Sequence, residues 1–378
     1  MSWLGADEEP EGWDAWDESS ARVRPNPKGN RPRSKQRPSH EDAVPGFVVG
    51  VDRGRFRVVV SEGADDERVI TSTAARELGR GAVVTGDRVD LVGDVSGDAG
   101  SLARIVRVHE RTSLLRRSAD DTDAVERIVV ANADRLLIVV AAANPEPRAR
   151  LVDRYLVAAY DVGIEPILCV TKTDLADPSD FVTHFDGLDL DIIRSRSDEP
   201  PIDALRERID GHVVVAVGHS GVGKSTLVNA LVPDAHRAIG VVNAVTGRGR
   251  HTSSSTVAYR LGSGWIIDTP GVRSFGLGHV DPDRLLGAFG DLAVIAEDCP
   301  RGCTHLPDAA DCAIVQAVAS GRLDANGAAR LDSLQRLLET LKGTPWRSAP
   351  ASPKTSNSPS RSPPTPTSSR WTASGPWT

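Results

Sequence analysis

The stretch GHSGVGKST, from Gly218 to Thr226, has the residue types and spacing of a loop that holds phosphate groups. It lies between the apolar run HVVVAV and the helix-like run LVNAL, which disfavours the alternative of a chance glycine-rich turn. In such a loop the backbone N–H groups and the positive end of the following helix bind an anion. Lys224 is expected to reach the β- and γ-phosphates, and the Ser225 hydroxyl to ligate Mg²⁺. The predicted phosphate-binding set is Gly218, His219, Ser220, Gly221, Val222, Gly223, Lys224, Ser225 and Thr226.

A second segment, WIIDTPG, places Asp268 at the end of an apolar strand, with Gly271 three residues later. A carboxylate in this position is expected to lie near the Mg²⁺ ion that accompanies a nucleoside triphosphate, and the Gly271 amide near the γ-phosphate. A plain D-T-P-G turn is the alternative. The phosphate loop upstream favours the metal interpretation.

The segment TKTD, from Thr171 to Asp174, also ends an apolar strand. The Asp174 carboxylate can accept two hydrogen bonds, from the N1–H and the exocyclic amine of guanine, whereas adenine lacks this donor pair. The stem of Lys172 is expected to pack beside the base, so Thr171, Lys172, Thr173 and Asp174 form the predicted base-reading loop. GTPases usually have Asn where this chain has Thr171, and a single hydroxyl cannot replace both functions of an amide. As a tetrapeptide alone, TKTD could also be an ordinary loop.

The order of these motifs is unusual, because the base-reading loop precedes the phosphate loop and DTPG comes last. When the motifs are numbered G1 to G5 as in ordinary GTPases, their order in this chain is G4-G5-G1-G2-G3. Chain termini lie at the surface of a domain, where cutting and rejoining are tolerated. The order therefore predicts a circularly permuted GTPase domain with an unchanged sheet.

Three of the four cysteines lie within the run CPRGCTHLPDAADC, which also contains a histidine. Three thiolates and one imidazole, from Cys299, Cys303, His305 and Cys312, complete a tetrahedral set of the kind typical of one structural zinc ion. A catalytic metal is not expected, since no position remains for water. Free buried thiols or a disulfide are the alternatives. Cys169, in the apolar run ILCV, is expected to be a small buried hydrophobic residue.

The pattern of apolar residues predicts three architectures in succession. Short strands with glycine-rich turns follow Pro45 and indicate a small antiparallel barrel of about five strands, as in an OB-fold. From about residue 125, strands alternate with helices, which indicates a mostly parallel sheet covered on both faces. A helical, cysteine-containing region then extends to about residue 342. The exit strand of the barrel is basic, and it is either an RNA-binding edge or a solvated face; its residues are Arg104, Arg107, Arg111, Arg116 and Arg117.

Composition limits the function further. The net charge of −7 gives no overall attraction to nucleic acid, so any RNA contact must be local. No apolar run approaches the length of a membrane span, and the N-terminus has no secretory signal pattern, which makes a cytoplasmic protein the expectation. The basic run from Arg22 to Arg37 is either a phosphate-contacting arm or a solvated tail, and the end from Thr344 is rich in Ser, Pro and Thr.

The joint order of motifs closely resembles the RsgA (YjeQ) family of bacterial ribosome-biogenesis GTPases, over roughly residues 45–342. The resemblance rests on VVANADRLLIVVAA, LVDRYLVAAY, GHSGVGKSTLVNAL, GRGRHTSSS, DTPGVRSFGL and CTH. It implies a GTPase that binds the 30S subunit and its 16S rRNA during late maturation, is stimulated by the subunit, and hydrolyses GTP to GDP and phosphate. A monomer without membrane contact is expected. The zinc ligands depart from the family spacing, with three and six intervening residues instead of four and five.

The resemblance also places GRGRHTSSS, Gly247 to Ser255, at the switch I position. Thr252 is then the first choice for sensing the γ-phosphate and ligating Mg²⁺, with Ser253 and Ser254 as substitutes; a plain surface loop is the alternative. Many GTPases have a Gln just after the D-T-x-G segment, but here the residue is Val272. His251 is the natural replacement as the group that positions or activates water.

These expectations define a domain organisation and two functional hypotheses. The first hypothesis is a 30S-stimulated GTPase; the second is an RNA-binding assembly factor whose nucleotide site is weakly catalytic or inactive. An ATPase with an altered base loop is a third, weaker alternative. The predicted domains are a disordered N-terminal extension at 1–44, an OB-fold β-barrel at 45–115, a circularly permuted GTPase domain at 120–285, a zinc-binding helical domain at 286–342 and a disordered Pro/Ser-rich tail at 343–378.

Overall fold

The computed structural model describes residues 40–79, 81–118, 126–233, 256–269 and 275–342. The described residues from Ala43 onwards belong to one compact unit. Because no smaller units separate within it, the predicted domain limits remain predictions. His251, Thr252 and Gly271, together with most of the predicted N-terminal extension and the whole predicted tail, lie outside the described residues.

The first part of the unit is a closed barrel. Its strands are β1 (Val44–Asp52), β2 (Arg55–Val60), β3 (Arg68–Ala74), β4 (Arg88–Gly93) and β5 (Ala103–Val108). They pair in the order β1-β2-β3-β5-β4, and β4 closes the barrel on β1; only the β3–β5 pair is parallel. Alternate side chains fill the interior because a strand presents every second residue to one face, and Val48, Val58, Ile70 and Leu91 are fully buried there.

A central sheet with helices on its faces follows a connecting hairpin. The hairpin strands are β6 (Leu114–Ser118) and β7 (Glu126–Ala131), and the sheet strands are β8 (Arg135–Ala141), β9 (Glu165–Thr171), β10 (Asp191–Arg194), β11 (Val213–Val217), β12 (Val257–Leu261) and β13 (Gly264–Asp268). The helices are α1 (Ala149–Asp161), α2 (Ser179–Val182), α3 (Ile202–Ile209) and α4 (Lys224–Leu231). The strand order is β10-β9-β8-β11-β13-β12, and all these pairs are parallel except β12–β13.

Strand β12 also pairs antiparallel with β1 of the barrel, with Gly50 opposite Val257. The described strands of barrel and central sheet therefore form one continuous 11-stranded sheet. Both faces of the central part are buried by apolar clusters, as the strand–helix alternation predicts. Cys169 is fully buried in one of these clusters, and burial raises the pKa of its thiol to about 12, consistent with a purely apolar function.

The last part of the unit is helical, with α5 (Pro282–Gly287), α6 (Gly290–Ala296), α7 (Ala313–Ala319) and α8 (Ala325–Lys342). Helix α8 packs on α1 of the central domain, where Arg336 donates to the buried carboxylate of Asp153 at 3.2 Å. None of the helices in the described ranges is long and apolar enough to cross a membrane. The structure confirms the fold class expected from the sequence, which is a barrel, a permuted α/β domain and a helical module.

The predicted basic exit strand is divided in the structure. Arg104 and Arg107 lie on β5, whereas Arg116 and Arg117 lie on β6, beyond a bend in the chain. Arg111, between them, donates from Nε and Nη2 to the two carboxylate oxygens of the fully buried Asp87, at 2.7 and 2.8 Å. A buried carboxylate requires a cationic partner, and Arg111 is that partner. The Arg111 side chain is therefore held by the barrel and does not belong to an exposed basic strand face.

We expect Asp87→Ala to lower the free energy of unfolding by about 3–5 kcal/mol, because it leaves the Arg111 guanidinium in a buried site without its carboxylate. The replacement also removes the acceptor of the Val84 N–H, at 2.7 Å. Thermal and urea unfolding of the full chain measure the loss. Asp65→Ala, at an exposed position of the same barrel, serves as control and is expected to change stability by less than about 0.5 kcal/mol. Equal effects of the two replacements would contradict the assignment.

Candidate functional site

The phosphate loop connects the end of β11 to the first turn of α4, as the sequence predicts. Gly218 has a φ of +156°, and a Cβ atom there would lie 2.4 Å from the carbonyl oxygen of Val139 on the neighbouring strand β8. Only glycine allows this close approach. Gly223 has a φ of +92° and precedes α4, so Lys224 and Ser225 occupy the first two positions of the helix. The loop therefore runs close to β8 and leads directly into the N-terminus of α4.

Lys224 and Asp268 meet at this point although they are far apart in the chain. Asp268 is the last residue of β13, which lies directly beside β11, and its Oδ1 atom forms an ion pair with Lys224 Nζ. The adjacent Thr269 is buried, and its hydroxyl donates to the carbonyl oxygen of Ala216 at 2.8 Å. The structure thus brings the predicted phosphate-binding lysine and the predicted metal-binding carboxylate together, with the exposed Ser225 on the same helix turn.

The base-reading loop contacts the phosphate loop directly. Thr171, the last residue of β9, is buried, and its Oγ1 atom donates to the carbonyl oxygen of Val222. Lys172 has a φ of +58°, and its Nζ atom donates to the carbonyl oxygens of Gly221, at 2.7 Å, and of Asn144. The first motif of the permuted order and the phosphate loop that follows it are therefore joined through hydrogen bonds. The Thr171 hydroxyl therefore supplies the hydrogen bond to the phosphate loop, which is one of the two functions expected of Asn at this position.

Asp174 is exposed at the rim of this loop. The N–H of Ser197 donates to its Oδ1 atom at 2.7 Å, and this hydrogen bond is the main cause that lowers the pKa of Asp174 below its ordinary value. Thr173 also contacts this neighbouring loop, since its N–H and its hydroxyl both donate to the carbonyl oxygen of Ser195 at 3.2 Å. The Asp174 carboxylate is therefore held in its ionised form, as an exposed hydrogen-bond acceptor.

The loop at residues 195–198 was not among the residues singled out from the sequence. It follows β10, the outermost strand of the central sheet, and its Ser195 N–H donates to Val170 of β9 at 2.8 Å. The run RSRSDE, in which it lies, carries no periodic apolar signal. The only available signal was the permuted motif order, which requires a G5 loop between TKTD and the phosphate loop.

A separate cluster of four side chains lies in the helical module. One ligand atom from each of Cys299, Cys303, His305 and Cys312 lies within 4.8 Å of all the others. His305 Nδ1 is 3.7 Å from the Sγ atoms of Cys299 and Cys312, which are 4.0 Å apart. Tetrahedral zinc, with Zn–S of about 2.3 Å and Zn–N of about 2.0 Å, requires ligand atoms separated by about 3.5–3.8 Å.

The surroundings of this cluster suit a metal. Burial lowers the pKa of His305, which favours the neutral imidazole that a metal ion requires. Two left-handed residues, His305 and Asp311, with φ of +53° and +57°, turn the chain so that the four ligands converge. Gln335 of α8 donates to the carbonyl oxygen of His305 at 3.0 Å, and so ties the cluster to the long helix. The four side chains therefore converge with three and six residues between the cysteines.

Comparisons with known proteins agree with this geometry. The sequence profile of the RsgA GTPase family matches residues 108–278. The small ribosomal subunit biogenesis GTPase RsgA of Pseudomonas aeruginosa is 37% identical over 278 residues, covering 70% of this chain and 78% of the relative. The protein of the same name from Chlorobaculum parvum is 32% identical over 311 residues, covering 79% of this chain and 99% of the relative.

Two solved structures share the fold. The crystal structure of YjeQ from Thermotoga maritima has a TM-score of 0.58 and 23% identity, and the match covers 80% of this chain and 99% of that chain. The structure of YloQ, described as a circularly permuted GTPase, has a TM-score of 0.57 and 23% identity, covering 83% and 100% of the two chains. At this identity the likeness concerns the fold alone.

We expect Asp174→Asn to weaken GTP binding about ten- to hundredfold, because an amide cannot accept hydrogen bonds from both guanine donors. The same change should improve binding of xanthosine triphosphate, whose second carbonyl group accepts the new amide donor. Titration with fluorescent nucleotides measures both affinities, and Asp177→Asn, which lies in the loop after TKTD, is the control. Unchanged preference for GTP in Asp174→Asn would exclude Asp174 as the base reader.

We expect the purified chain to contain about one zinc ion per molecule by elemental analysis. Cys312→Ser should bring the zinc content close to zero and lower the melting temperature of the helical module, because metal binding and folding are coupled at such sites. Cys169→Ala changes the cysteine outside the cluster and should leave the zinc content unchanged. Full zinc content in Cys312→Ser would show that Cys312 is not a ligand.

Proposed function

The chain belongs to the RsgA GTPase family, and from this membership we propose that it hydrolyses GTP to GDP and phosphate in late maturation of the 30S ribosomal subunit. In this proposal it acts as a cytoplasmic monomer, binds 16S rRNA in the subunit, and hydrolyses GTP faster when bound. The observation that carries the proposal is the contact of Thr171 and Lys172 with the phosphate loop, which joins a base-reading and a phosphate-binding element in one site.

The proposed phosphate contacts follow from the position of the loop residues. The N–H groups of the loop from Gly218 to Gly223 and the N-terminus of α4 receive the phosphate oxygens, since both carry partial positive charge. The Lys224 ammonium, paired with Asp268, is the cation expected to stabilise the charge that develops during phosphoryl transfer. Ser220 and Gly221 of the loop and Thr226 in the first turn of α4 are exposed.

The oxygen donors beside Lys224 fit Mg²⁺. A hydroxyl from Ser225 and a carboxylate from Asp268 are the hard ligands that this ion prefers, and it usually retains several waters. Asp268 is partly buried, with its side chain 18% exposed, so its charge is only weakly screened by solvent. When bound, Mg²⁺ supplies charge neutralisation between the β- and γ-phosphates. Thr252 is proposed as a further ligand; like Gly271, proposed to contact the γ-phosphate, it lies outside the described residues.

Guanine selectivity is proposed to depend on Asp174. The Ser197 N–H holds the Asp174 carboxylate ionised and oriented. Its Oδ2 atom and the second lone pair of Oδ1 remain as acceptors for the base. The Thr171 hydroxyl donates to the phosphate loop. Thr171 therefore does not form the hydrogen bond that Asn would form with the base. The base preference of this chain therefore rests more on Asp174 than in a loop with Asn.

The barrel and the helical module are proposed to contact rRNA. Arg104, Arg107 and Arg117 are exposed, and Arg107 is also paired with Asp90 at 3.0 Å, whereas Arg111 is held by Asp87. An RNA-contacting edge therefore involves Arg104 and Arg117 more than Arg107 and Arg111. A zinc ion held by Cys299, Cys303, His305 and Cys312 would fix the Cys-rich loop against the helices of this module.

The decisive experiment compares GTP turnover of the full chain alone, with 30S subunits and with 50S subunits. We expect slow turnover that 30S subunits, and not 50S subunits, raise by an order of magnitude or more. Co-sedimentation in GDP and in a non-hydrolysable GTP analogue shows whether the nucleotide controls binding to the subunit. Negligible turnover in every condition, with binding to 30S retained, would favour an RNA-binding assembly factor instead. Competition by ATP as strong as by GTP would favour an ATPase.

His251→Ala provides the catalytic arm of the same experiment. If His251 positions the attacking water, the variant should lose about a hundredfold of the 30S-stimulated turnover while its GTP affinity stays within about twofold of the unmodified chain. His184→Ala, at an exposed position on the surface, is the control. Undiminished stimulated turnover in His251→Ala would exclude this function.

A further inference from the structure

A carboxylate of the barrel contacts the strand that ends at the proposed metal-binding residue. Glu62 lies in the loop between β2 and β3, and its Oε1 atom accepts a hydrogen bond from Trp265 Nε1 at 2.6 Å. Arg88 of the barrel donates to Oε2 at 2.8 Å, and Arg260 of β12 donates to Oε1 at 3.2 Å. One carboxylate thus links a barrel strand to both strands of the β12–β13 hairpin.

The Trp265 indole is enclosed by the same groups. It is 4% exposed, and its ring stacks on Phe47 of β1 with a centroid distance of 5.0 Å and an interplanar angle of 26°. The Arg260 guanidinium lies 5.0 Å from the centroid of the Trp265 ring, and the Arg88 guanidinium lies 5.2 Å from that of Phe47. Burial alone would raise the pKa of Glu62, but the hydrogen bonds from Trp265 and Arg88 and the two nearby guanidinium charges lower it overall.

Trp265 is connected to Asp268 by a short, rigid strand. It is the second residue of β13, and Asp268 is the last. Both are paired on each side of the strand: Trp265 with Val213 and Arg260, and Asp268 with Ala216 and Val257. A strand bonded along both edges moves as a unit, since a shift of one residue disrupts the ladders of its neighbours. The main chain at Trp265 is thereby held in register with the main chain at Asp268, three residues along the same strand.

We propose that Glu62 is a positioning residue of the nucleotide site, which holds Trp265 and thereby fixes β13 so that Asp268 is placed for Mg²⁺. The inference rests on the proposed function for the assignment of Asp268, and goes beyond it by giving the barrel a part in the nucleotide site. Its consequence is that a ligand which moves the β2–β3 loop of the barrel also alters metal binding beside the phosphates.

The test measures how Mg²⁺ changes the affinity for GDP, by fluorescent-nucleotide titration across a range of Mg²⁺ concentrations. Glu62→Ala removes the acceptor, and we expect it to raise the half-effective Mg²⁺ concentration about tenfold, the size seen when groups that orient metal ligands are removed. GDP affinity without Mg²⁺ should stay within about twofold. Glu62→Gln keeps an oxygen for the indole and should recover most of the loss, because the proposal acts through Trp265 and not through charge alone.

Trp265→Phe removes the N–H donor and keeps a ring to stack on Phe47, so it should match Glu62→Ala. The double variant should be no worse than either single one, since both remove the same hydrogen bond. Asp66→Asn is the control, because Asp66 lies in the same loop but contacts Ser61 and Arg68. Circular dichroism and thermal melting check that each variant folds, and if Glu62→Ala does not, Trp265→Phe alone decides.

The proposal would be overturned if the half-effective Mg²⁺ concentration were unchanged in Trp265→Phe, or if Asp66→Asn shifted it by the same amount. It would also be overturned if the unmodified chain bound GDP independently of Mg²⁺. The experiment separates this outcome from failure of the proposed function. A chain that binds GDP with Mg²⁺ dependence but never turns over GTP, alone or with 30S subunits, contradicts the proposed function, while the Mg²⁺ titrations still decide the position of Glu62.

Discussion

The contact between two loops at the carboxyl ends of neighbouring strands is the constraint on which the site depends. Thr171 ends β9, Lys172 follows it, and both side chains donate to carbonyl oxygens of the loop that follows β11. The strands β9, β8 and β11 are adjacent and parallel, so their carboxyl ends share one edge of the sheet. Ligands of open α/β sheets bind at this edge. A site of this kind depends on which strands are neighbours, and the order of the strands along the chain is free to change.

Permutation therefore alters connections and leaves the interactions intact. Asp268 reaches Lys224 because β13 is hydrogen-bonded to β11, whether β13 comes before or after it in the sequence. The close approach of Gly218 to Val139 has the same origin, since it is set by the spacing of β11 and β8. The central sheet of this chain also has a neighbour outside the α/β domain, because the first strand of the barrel pairs with β12.

Much of this arrangement could be predicted from local patterns. The apolar runs before GHSGVGKST, TKTD and DTPG place three chemical motifs at strand ends, and parallel strands bring such ends together. The four residues of the Cys/His cluster were predicted from their types and closeness in sequence, and the structure brings them together. The short elements β10, α2 and β12 were not predicted, because four or five residues carry too little periodicity to distinguish a strand or a helix from a loop. The long-range pairs Asp87–Arg111 and Glu62–Trp265 were also missed, since no sequence pattern indicates which buried charge meets which partner.

The pairing of Gly50 with Val257 has a consequence for the solubility of the central domain. The outer side of β12 would otherwise present unpaired N–H and C=O groups, and such an open edge recruits strands from other molecules. In this chain β1 of the barrel pairs with the first residue of β12 on that side. The barrel thus covers the start of this edge, and a fragment beginning after the barrel would leave that part open to edge-to-edge pairing with other molecules.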